Sequence, residues 1–199
     1  MQVMILKGHT GAVLAINISS DGKIFSGGED NHFRVWDIEN KKVKIFNKQK
    51  TPIRVINTYP DGKIVMGLDN SKIEIVDFET NKCKILYVDD IGLVNTINVY
   101  FDGRIIVGMK SRAYNGAGGN CIILDPRLDS QQYKVLAGHQ IETRDCITMG
   151  PRIITCGSES NSEHTLRIWG TEFYVRRECD KLKLMTKTMN KPPYYHMLF

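Results

Sequence analysis

LKGHTGAVLAINISSDGKIFSGGEDNHFRVWD, residues 6–37, contains a short motif that recurs along this chain. Its turn, Asp21-Gly22-Lys23, returns as Asp61-Gly62-Lys63 and as Asp102-Gly103-Arg104, each time between an alternating apolar run and a short apolar strand. The intervals are 61 − 21 = 40 and 102 − 61 = 41 residues. A fixed period of this length, with strands and turns inside every unit, is typical of the blades of a β-propeller.

Each repeat is predicted to contain four β-strands. In residues 13–18 and 96–100 apolar side chains recur at a period near two, which indicates strands. The Asp-Gly pairs are tight-turn signals between such runs. An outer strand is expected after four equivalent dipeptides: Trp36-Asp37, Val76-Asp77, Leu124-Asp125 and Trp169-Gly170. The sequence therefore predicts an all-β protein, a propeller made of about four four-stranded antiparallel blades.

The repeats also predict the domain organisation. Residues 1–178 are expected to form the blades, with boundaries at about 6–46, 47–87, 88–136 and 137–178. Residues 179–199 are expected to be a basic, irregular C-terminal tail, because Pro192-Pro193 stops regular structure. From residue 171 onward there are six Lys or Arg and three acidic residues, which is +3 of the whole chain's net charge of +5.

The chain resembles the WD-repeat propellers over about residues 3–178. Units of that family run from a Gly-His pair to a Trp-Asp pair, with a Ser-Gly pair and an Asp between them. The first repeat has all of these in register: Gly8-His9, Asp21-Gly22, Ser26-Gly27, Asp30 and Trp36-Asp37. The fourth keeps Gly138-His139, Thr155 and Trp169. The second and third keep the turn and the strands but lack the His and the Trp.

His9, Ser26 and Asp30 are residue types of a hydrolase triad, yet the resemblance implies a structural role for them. It implies a buried chain in which the Trp36 indole donates to Ser26, Ser26 to His9 and His9 to Asp30. A nucleophilic serine would instead need an exposed oxygen beside an oxyanion hole. We therefore predict no catalytic residue. In the fourth repeat the same network would use His139, Thr155 and Trp169, and counting back from Trp169 suggests Glu163 as its acid.

Composition narrows the class of protein further. The chain of 199 residues is 42% hydrophobic and 25% charged, has no apolar run of membrane-spanning length and lacks a signal-peptide layout. Its five cysteines, at 83, 121, 146, 156 and 179, contain no CxxC pair. We expect reduced thiols in a cytoplasmic or nuclear protein, with no metal and no cofactor, because His139, Cys146 and Cys156 lack metal-ligand spacing.

Four repeats are fewer than the seven of a usual WD-repeat ring, so closure is an open question. Residues 3–6 are expected to form a lone outer strand, and residues 173–176 are a second candidate for the outermost place of the fourth repeat. Three outcomes follow. The chain is a fragment or an arc completed by a partner, which we favour; two copies join head to tail into an eight-blade ring; or four blades close alone.

The resemblance favours a non-catalytic scaffold or adaptor that binds a protein or peptide through its loops. Two loops between second and third strands are long, in the third and fourth repeats, and binding residues are typically on loops. The predicted partner-binding residues are Arg54, Asp90, Lys110, Arg112, Tyr114, Glu142 and Glu159. A nucleic-acid-associated module using the basic tail is an alternative, supported by the pI near 8.9. A hydrolase ranks third.

Overall fold

The computed structural model describes residues 3–80, 82–87, 92–110, 119–128, 133–159, 164–170 and 195–196. The regular elements of these residues are all β-strands. In chain order they are β1 Val13–Ile18, β2 Ile24–Gly28, β3 His32–Asp37, β4 Lys42–Lys48, β5 Ile53–Thr58, β6 Ile64–Leu68, β7 Lys72–Asp77, β8 Lys82–Tyr87, β9 Leu93–Val99, β10 Ile105–Lys110, β11 Cys121–Leu124, β12 Tyr133–Leu136, β13 Glu142–Met149, β14 Arg152–Ser158, β15 His164–Trp169 and β16 Tyr195–His196.

The strands form antiparallel blades of four, which confirms the predicted fold. Blade 1 is β1-β2-β3-β4, and blade 2 is β5-β6-β7-β8. Blade 3 pairs β9, β10, β11 and β12 in order, and blade 4 pairs β13, β14, β15 and β16; the pairing of Lys110 with Glu142 joins these two sheets. The chain divides into two compact units, Met1–Asp90 with blades 1 and 2 and Ile91–Phe199 with blades 3 and 4.

The recurring Asp-Gly motif forms the same hairpin loop in the first three blades. In blade 2 the Tyr59 amide donates to the Lys63 carbonyl at 2.7 Å, and the Gly62 amide donates to the Tyr59 carbonyl at 3.0 Å. The glycines have φ values of +81°, +85° and +88° at positions 22, 62 and 103. Glycine adopts this left-handed conformation without the steric cost that other residues carry, which explains why the motif recurs at each of these turns.

In the first unit, blade 1 packs face to face on blade 2. Phe25 and Phe33 of blade 1 are fully buried in one cluster with Ile53 and Ile56 of blade 2. The sheets approach closely at Gly27, where a Cβ would lie 2.6 Å from the Cγ2 atom of Ile53. A larger residue at this position would therefore push the sheets apart.

A polar contact crosses the same interface and recurs in the second unit. The Asn17 amide donates to the main-chain carbonyl of Ile56 at 3.1 Å. Between blades 3 and 4, the Asn98 amide donates to the carbonyl of Cys146 at 3.2 Å. Cys146 is buried there with Ile106 and neighbouring apolar residues. One docking geometry therefore repeats, with an asparagine of the earlier blade bound to the backbone of the later one.

Two local predictions differ from the structure. Residues 3–6 form no strand, and their apolar side chains are exposed. A strand exists by pairing with a neighbour, and periodicity alone could not show whether these residues have one. The tail is not wholly irregular, since β16 pairs with β15 through Ile168 and Tyr195. Strand β15 has an outer edge with backbone groups to satisfy, which β16 pairs in part. The alternative strand at residues 173–176 lies outside the described residues.

Two further features concern the described residues alone. Cys83, Cys121, Cys146 and Cys156 are not in disulfides, and Cys179 lies outside the description. The same part of the chain contains no α-helix of the length and hydrophobicity that a membrane span requires.

We predict that Gly62→Ala lowers the free energy of unfolding by about 1 kcal/mol, because alanine is strained at this positive φ. Crowding is not the cause, since no non-neighbouring atom lies within 4 Å of where the new Cβ would stand. Gly62→Asn should lose less, because asparagine tolerates the left-handed region. Urea unfolding measures both, and an alanine variant as stable as the parent would contradict the explanation.

Candidate functional site

Blade 1 contains a chain of hydrogen bonds between four side chains. The Trp36 indole Nε1 donates to the Ser26 hydroxyl at 2.7 Å, and His9 Nε2 lies 2.7 Å from the same oxygen. His9 Nδ1 lies 3.0 Å from both carboxylate oxygens of Asp30. With Nδ1 protonated, His9 donates to Asp30 and accepts from Ser26, so that each polar group along the chain has a partner. The arrangement ties the loop before β1 to strands β2 and β3.

Asp30 is the charged end of this network, and its side chain is almost fully buried. Burial alone would raise the pKa of the carboxyl. Hydrogen bonds from His9, from the Thr10 and His32 amides and from Arg34 oppose burial and hold the pKa of Asp30 well below its ordinary value. The buried carboxylate is therefore ionised at neutral pH and is neutralised in place by Arg34, whose Nη1 lies 2.7 Å from Oδ2.

Blade 4 contains a second network of the same form. Trp169 Nε1 donates to the Thr155 hydroxyl at 2.9 Å, and His139 Nε2 lies 2.9 Å from that oxygen. His139 Nδ1 lies 3.3 Å from Glu159 Oε1, which also accepts from Thr165 at 2.7 Å. Glu159 thus stands where blade 1 has Asp30. Glu163, which sequence counting suggested for this position, lies outside the described residues.

The environment of His139 favours its neutral form. Burial lowers the pKa of the ring below 6.5, and the neighbouring positive charge of Arg167 lowers it further, against the opposing effect of Glu159. Burial would raise the pKa of Glu159, but the Thr165 hydroxyl and Arg167 together hold it below its ordinary value. The site therefore contains a neutral imidazole beside an ionised carboxylate, and the carboxylate is paired with the Arg167 guanidinium.

Arg34 and Arg167 are the residues that sequence reasoning missed. Arg34 is buried, binds Asp30 and donates from Nη2 to the Gly8 carbonyl at 2.9 Å. Arg167 is buried and donates from Nη2 to Glu159 at 2.8 Å. The available signal was their shared place two residues before the tryptophans, Trp36 and Trp169. Each arginine neutralises the acid of its network, a role that depends on contacts distant in sequence.

Blades 2 and 3 have apolar residues where the networks have a hydroxyl. Met66 and Val107 occupy the ladder position of Ser26 and Thr155 and are fully buried. In blade 2 the place of the arginine belongs to Glu74, a buried carboxylate that accepts from the Gln49 amide at 2.7 Å. Burial raises the pKa of Glu74. Apolar side chains therefore replace the network hydroxyl in both blades, and blade 2 adds the Gln49–Glu74 pair.

Three charged residues meet where β10 ends and β13 begins, and we call them the charged edge: Lys110, Glu142 and Arg144. Glu142 is buried, with one oxygen 2.6 Å from Arg144 Nε and the other 3.9 Å from Lys110 Nζ. Lys110 and Arg144 are exposed. The edge thus presents two cations outward from one buried carboxylate.

The predicted partner-binding residues occupy different environments. Lys110 is exposed, and Arg54 is half-exposed beside Asp69, 2.5 Å away. Glu142 and Glu159 are buried, with Glu142 paired to the exposed Arg144 and Glu159 paired to the buried Arg167. Their carboxylates are satisfied internally because each faces an arginine. Three more lie outside the described residues: Asp90, Arg112 and Tyr114.

The chemistry open to this arrangement is structural. The Ser26 hydroxyl is buried and lies between two ring nitrogens, so a substrate carbonyl has no access to it. Among the described residues, no three His, Cys, Asp or Glu side chains are grouped so that they could hold a metal ion.

Comparison with known proteins agrees with this geometry. Residues 1–37 match the model of the WD domain, G-beta repeat family (WD40), which confirms the resemblance in the first repeat. Proteins with such repeats are in general non-catalytic scaffolds for protein interactions. The search of curated proteins gave no match.

Two solved structures are similar in fold. The computationally designed Ika4 protein has a TM-score of 0.67 at 16% identity, covering 85% of this chain and 98% of its own. The computationally designed Ika8 protein has a TM-score of 0.65 at 16% identity, covering 82% of this chain and 47% of its own. At this identity the likeness concerns the fold alone.

We predict that Ser26→Ala lowers the free energy of unfolding by about 1–3 kcal/mol, because Trp36 and His9 lose a buried partner. Ser26→Thr is the matched control, since threonine has the same hydroxyl and occupies this place in blade 4 as Thr155. Urea unfolding at neutral pH compares them. Equal stability of the alanine variant and the parent would show that the network contributes nothing.

The depressed pKa of His139 predicts a pH dependence of stability. As the pH falls through 6.5, the unfolded chain binds a proton that the native ring does not, so stability declines. This decline reaches at most about 1.4 kcal/mol per pH unit for one group. His139→Gln should flatten the curve of unfolding free energy between pH 7.5 and 5.5. The exposed His164, changed to Gln, serves as the control, and an unchanged slope in His139→Gln would refute the assignment.

Proposed function

We propose that this chain is a non-catalytic protein-interaction scaffold of the WD-repeat type, which binds a protein or peptide partner at the charged edge and the loops that begin there. The observation that carries the proposal is the contrast between two groups of polar residues. The networks of blades 1 and 4 are turned inward and internally satisfied, whereas Lys110 and Arg144 are directed outward. The side chains of the two networks therefore serve folding, and the exposed cations Lys110 and Arg144 are left for recognition.

The arrangement of the charged edge suits it to bind an acidic group. Glu142 holds Arg144 through Nε at 2.6 Å, so the outer part of the guanidinium can still donate to another carboxylate. Lys110, at 3.9 Å from Glu142, keeps donors directed to solvent. Asn95 and Ser158 each donate to Glu142 at 3.5 Å, which restrains the carboxylate that positions both cations. A restrained cation loses less conformational entropy on binding than a flexible one.

The loops at this edge extend the proposed surface. The segment between β10 and β11 begins after Lys110, and that between β14 and β15 begins after Ser158. Arg112 and Tyr114 belong to the first of these segments, and their residue types are enriched at binding hot spots. We include both in the proposal as contacts of the same partner. Arg54, beside Asp69 in the first unit, offers a comparable but separate cation.

The alternatives have less support. The basic residues of the tail lie outside the described part of the chain, and the nucleic-acid module stays a prediction from sequence. A hydrolase is disfavoured by the buried hydroxyl of Ser26, although residue types alone suggested a triad. Cytoplasmic or nuclear location is part of the proposal, because reduced thiols suit those compartments.

The proposal predicts which peptides the chain selects. A displayed random-peptide library panned against the 199-residue protein should enrich sequences rich in Asp and Glu. For a selected peptide, Lys110→Ala with Arg144→Ala should weaken binding about tenfold, as expected when two partly desolvated cations are removed. Isothermal titration measures the affinity of the peptide for each variant.

The matched control removes the same charge elsewhere in the second unit. Arg127 lies beside Asp125 in the turn after β11, and Lys134 lies on the outer strand β12. Changing both to Ala alters the net charge equally, so only a localised site distinguishes the two variants. If both variants weaken binding equally, the attraction is general electrostatics, and the charged edge is not the site.

A further inference from the structure

The four ladders allow the same position to be compared in all four blades. One residue of each first strand lies opposite the middle of the second strand, next to the network hydroxyl or its replacement. These residues are Ile16, Ile56, Ile97 and Cys146. The last three are buried, while Ile16 is 73% exposed. An isoleucine that is core in blades 2 and 3 is therefore on the surface in blade 1.

A second position on the same face gives the same result. The residue before the bulge of each first strand is Val13, Ile53, Val94 or Thr143. Three of these are fully buried, but Val13 is 50% exposed. Ile18, two residues beyond Ile16 on the same face, is exposed as well. We call this face, formed by Val13, Ile16 and Ile18, the leading flank of blade 1. It is apolar and uncovered.

Blade 4 shows the complementary face. Its position on the third strand that corresponds to Phe33 of blade 1 and Cys121 of blade 3 is Leu166. Phe33 and Cys121 are fully buried, whereas Leu166 is 42% exposed. Ile147 and Met149 of the first strand are exposed too. We call the face formed by Ile147, Met149 and Leu166 the trailing flank of blade 4.

The contacts within each unit show what these two faces normally meet. In every blade we call the face with the position of Ile16 the leading face, and the opposite face the trailing face. In the first unit, Gly27 on the trailing face of blade 1 approaches Ile53 on the leading face of blade 2. In the second, a Cβ at Gly108 of blade 3 would lie 2.7 Å from the Cγ2 atom of Thr143 on the leading face of blade 4. A trailing face therefore packs on a leading face in both units.

We propose that the trailing flank of blade 4 packs on the leading flank of blade 1 of a second copy of this chain, so that copies associate head to tail. The proposed contact between copies has the same form as the interface between blades 1 and 2 and as that between blades 3 and 4. The residues that would meet occupy the same ladder positions as those that meet within the chain. A soluble monomer seldom leaves such apolar faces open to water. A trailing face meeting a leading face is also the arrangement that closes on two copies around a two-fold axis.

At one equivalent position, blade 4 differs from blades 1 and 3 in a way that favours an apolar contact between the flanks of two copies. Asn17 and Asn98 donate to the backbone of the following blade, and the equivalent position in blade 4 is Ile147. The polar clamp of the intrachain interfaces is thus replaced by an exposed isoleucine. Facing the leading flank of another copy, it would add apolar contact where the other blades have a hydrogen bond.

Sedimentation equilibrium of the 199-residue protein tests the association. We expect a dimer that dissociates on dilution, and at least a tenfold larger dissociation constant for Ile16→Lys or Leu166→Glu. Phe101→Lys is the control, because Phe101 is 73% exposed in the turn after β9 and belongs to neither flank. A protein that stays monomeric at all concentrations would overturn the proposal and would leave these flanks to another chain.

A mixing experiment distinguishes head-to-tail packing from the packing of one flank on itself. Chains with Ile16→Lys and chains with Leu166→Glu should each be monomeric, but together they should associate, because the mixture contains one intact contact and one Lys–Glu pair. Flanks that pack on themselves would show no such recovery. Absence of recovery, with both variants folded by circular dichroism, would refute the head-to-tail contact.

A cross-link identifies the contact directly and does not depend on disruptive variants. Cys156 holds the ladder position of Gly27, and Val13 holds that of Ile53, the pair in close contact inside the first unit. Val13→Cys, treated with copper–phenanthroline in air, should form an interchain disulfide between positions 13 and 156, which mass spectrometry locates. Ser20→Cys, in the exposed turn after β1, is the control. Equal cross-linking from position 20, or none from position 13, would overturn the proposal.

Discussion

Packing of sheet on sheet is the constraint from which the other features of this protein follow. A four-stranded blade has two faces, and in this chain both are apolar along the inner strands, so each blade is stable only when neighbours cover it. Gly27 and Gly108 show how close the approach is, because neither site has room for a methyl group. Buried interfaces of this density make the repeat a cooperative unit with its neighbour, and they set the register in which loops are displayed.

The buried networks act within that packing as clamps on the loops. His9 and His139 come from loops before the first strands, and each binds a hydroxyl on the second strand of its blade. Desolvating these polar groups is costly, and the cost is offset because every member is bound. The arginines complete the arrangement, since the buried carboxylates of Asp30 and Glu159 each require a compensating cation. The residue types that resemble a catalytic triad in the sequence therefore hold a loop to its blade in the structure.

Sequence predicted the regular part of this structure well and the irregular part less well. The Asp-Gly turns and the closing dipeptides reveal blade number and strand order, because turn geometry and side-chain alternation are local properties. The role of Arg34 and Arg167 was not predicted from the sequence, because the spacing of residues along the chain does not reveal which acid each arginine contacts after folding. Residues 3–6 have strand character without a strand partner, and the acid beside His139 is Glu159, four residues before the position suggested by counting. Loop length and pairing across the sheet decide such details.

The two uncovered flanks link the need to cover each blade with the number of charged edges in one assembly. If blades must be covered, then the flanks of blades 1 and 4 are sites where association contributes to folding as well as to assembly. Val13 and Ile16 in blade 1, and Leu166 in blade 4, match residues that are core elsewhere in the same chain. Packing between copies would bring a second charged edge into the same assembly, and two linked edges bind a partner with two acidic segments more tightly than one edge can. If the proposed association and the proposed function both hold, the apolar flanks set how many charged edges are presented together, and Lys110 and Arg144 set which partner each edge binds.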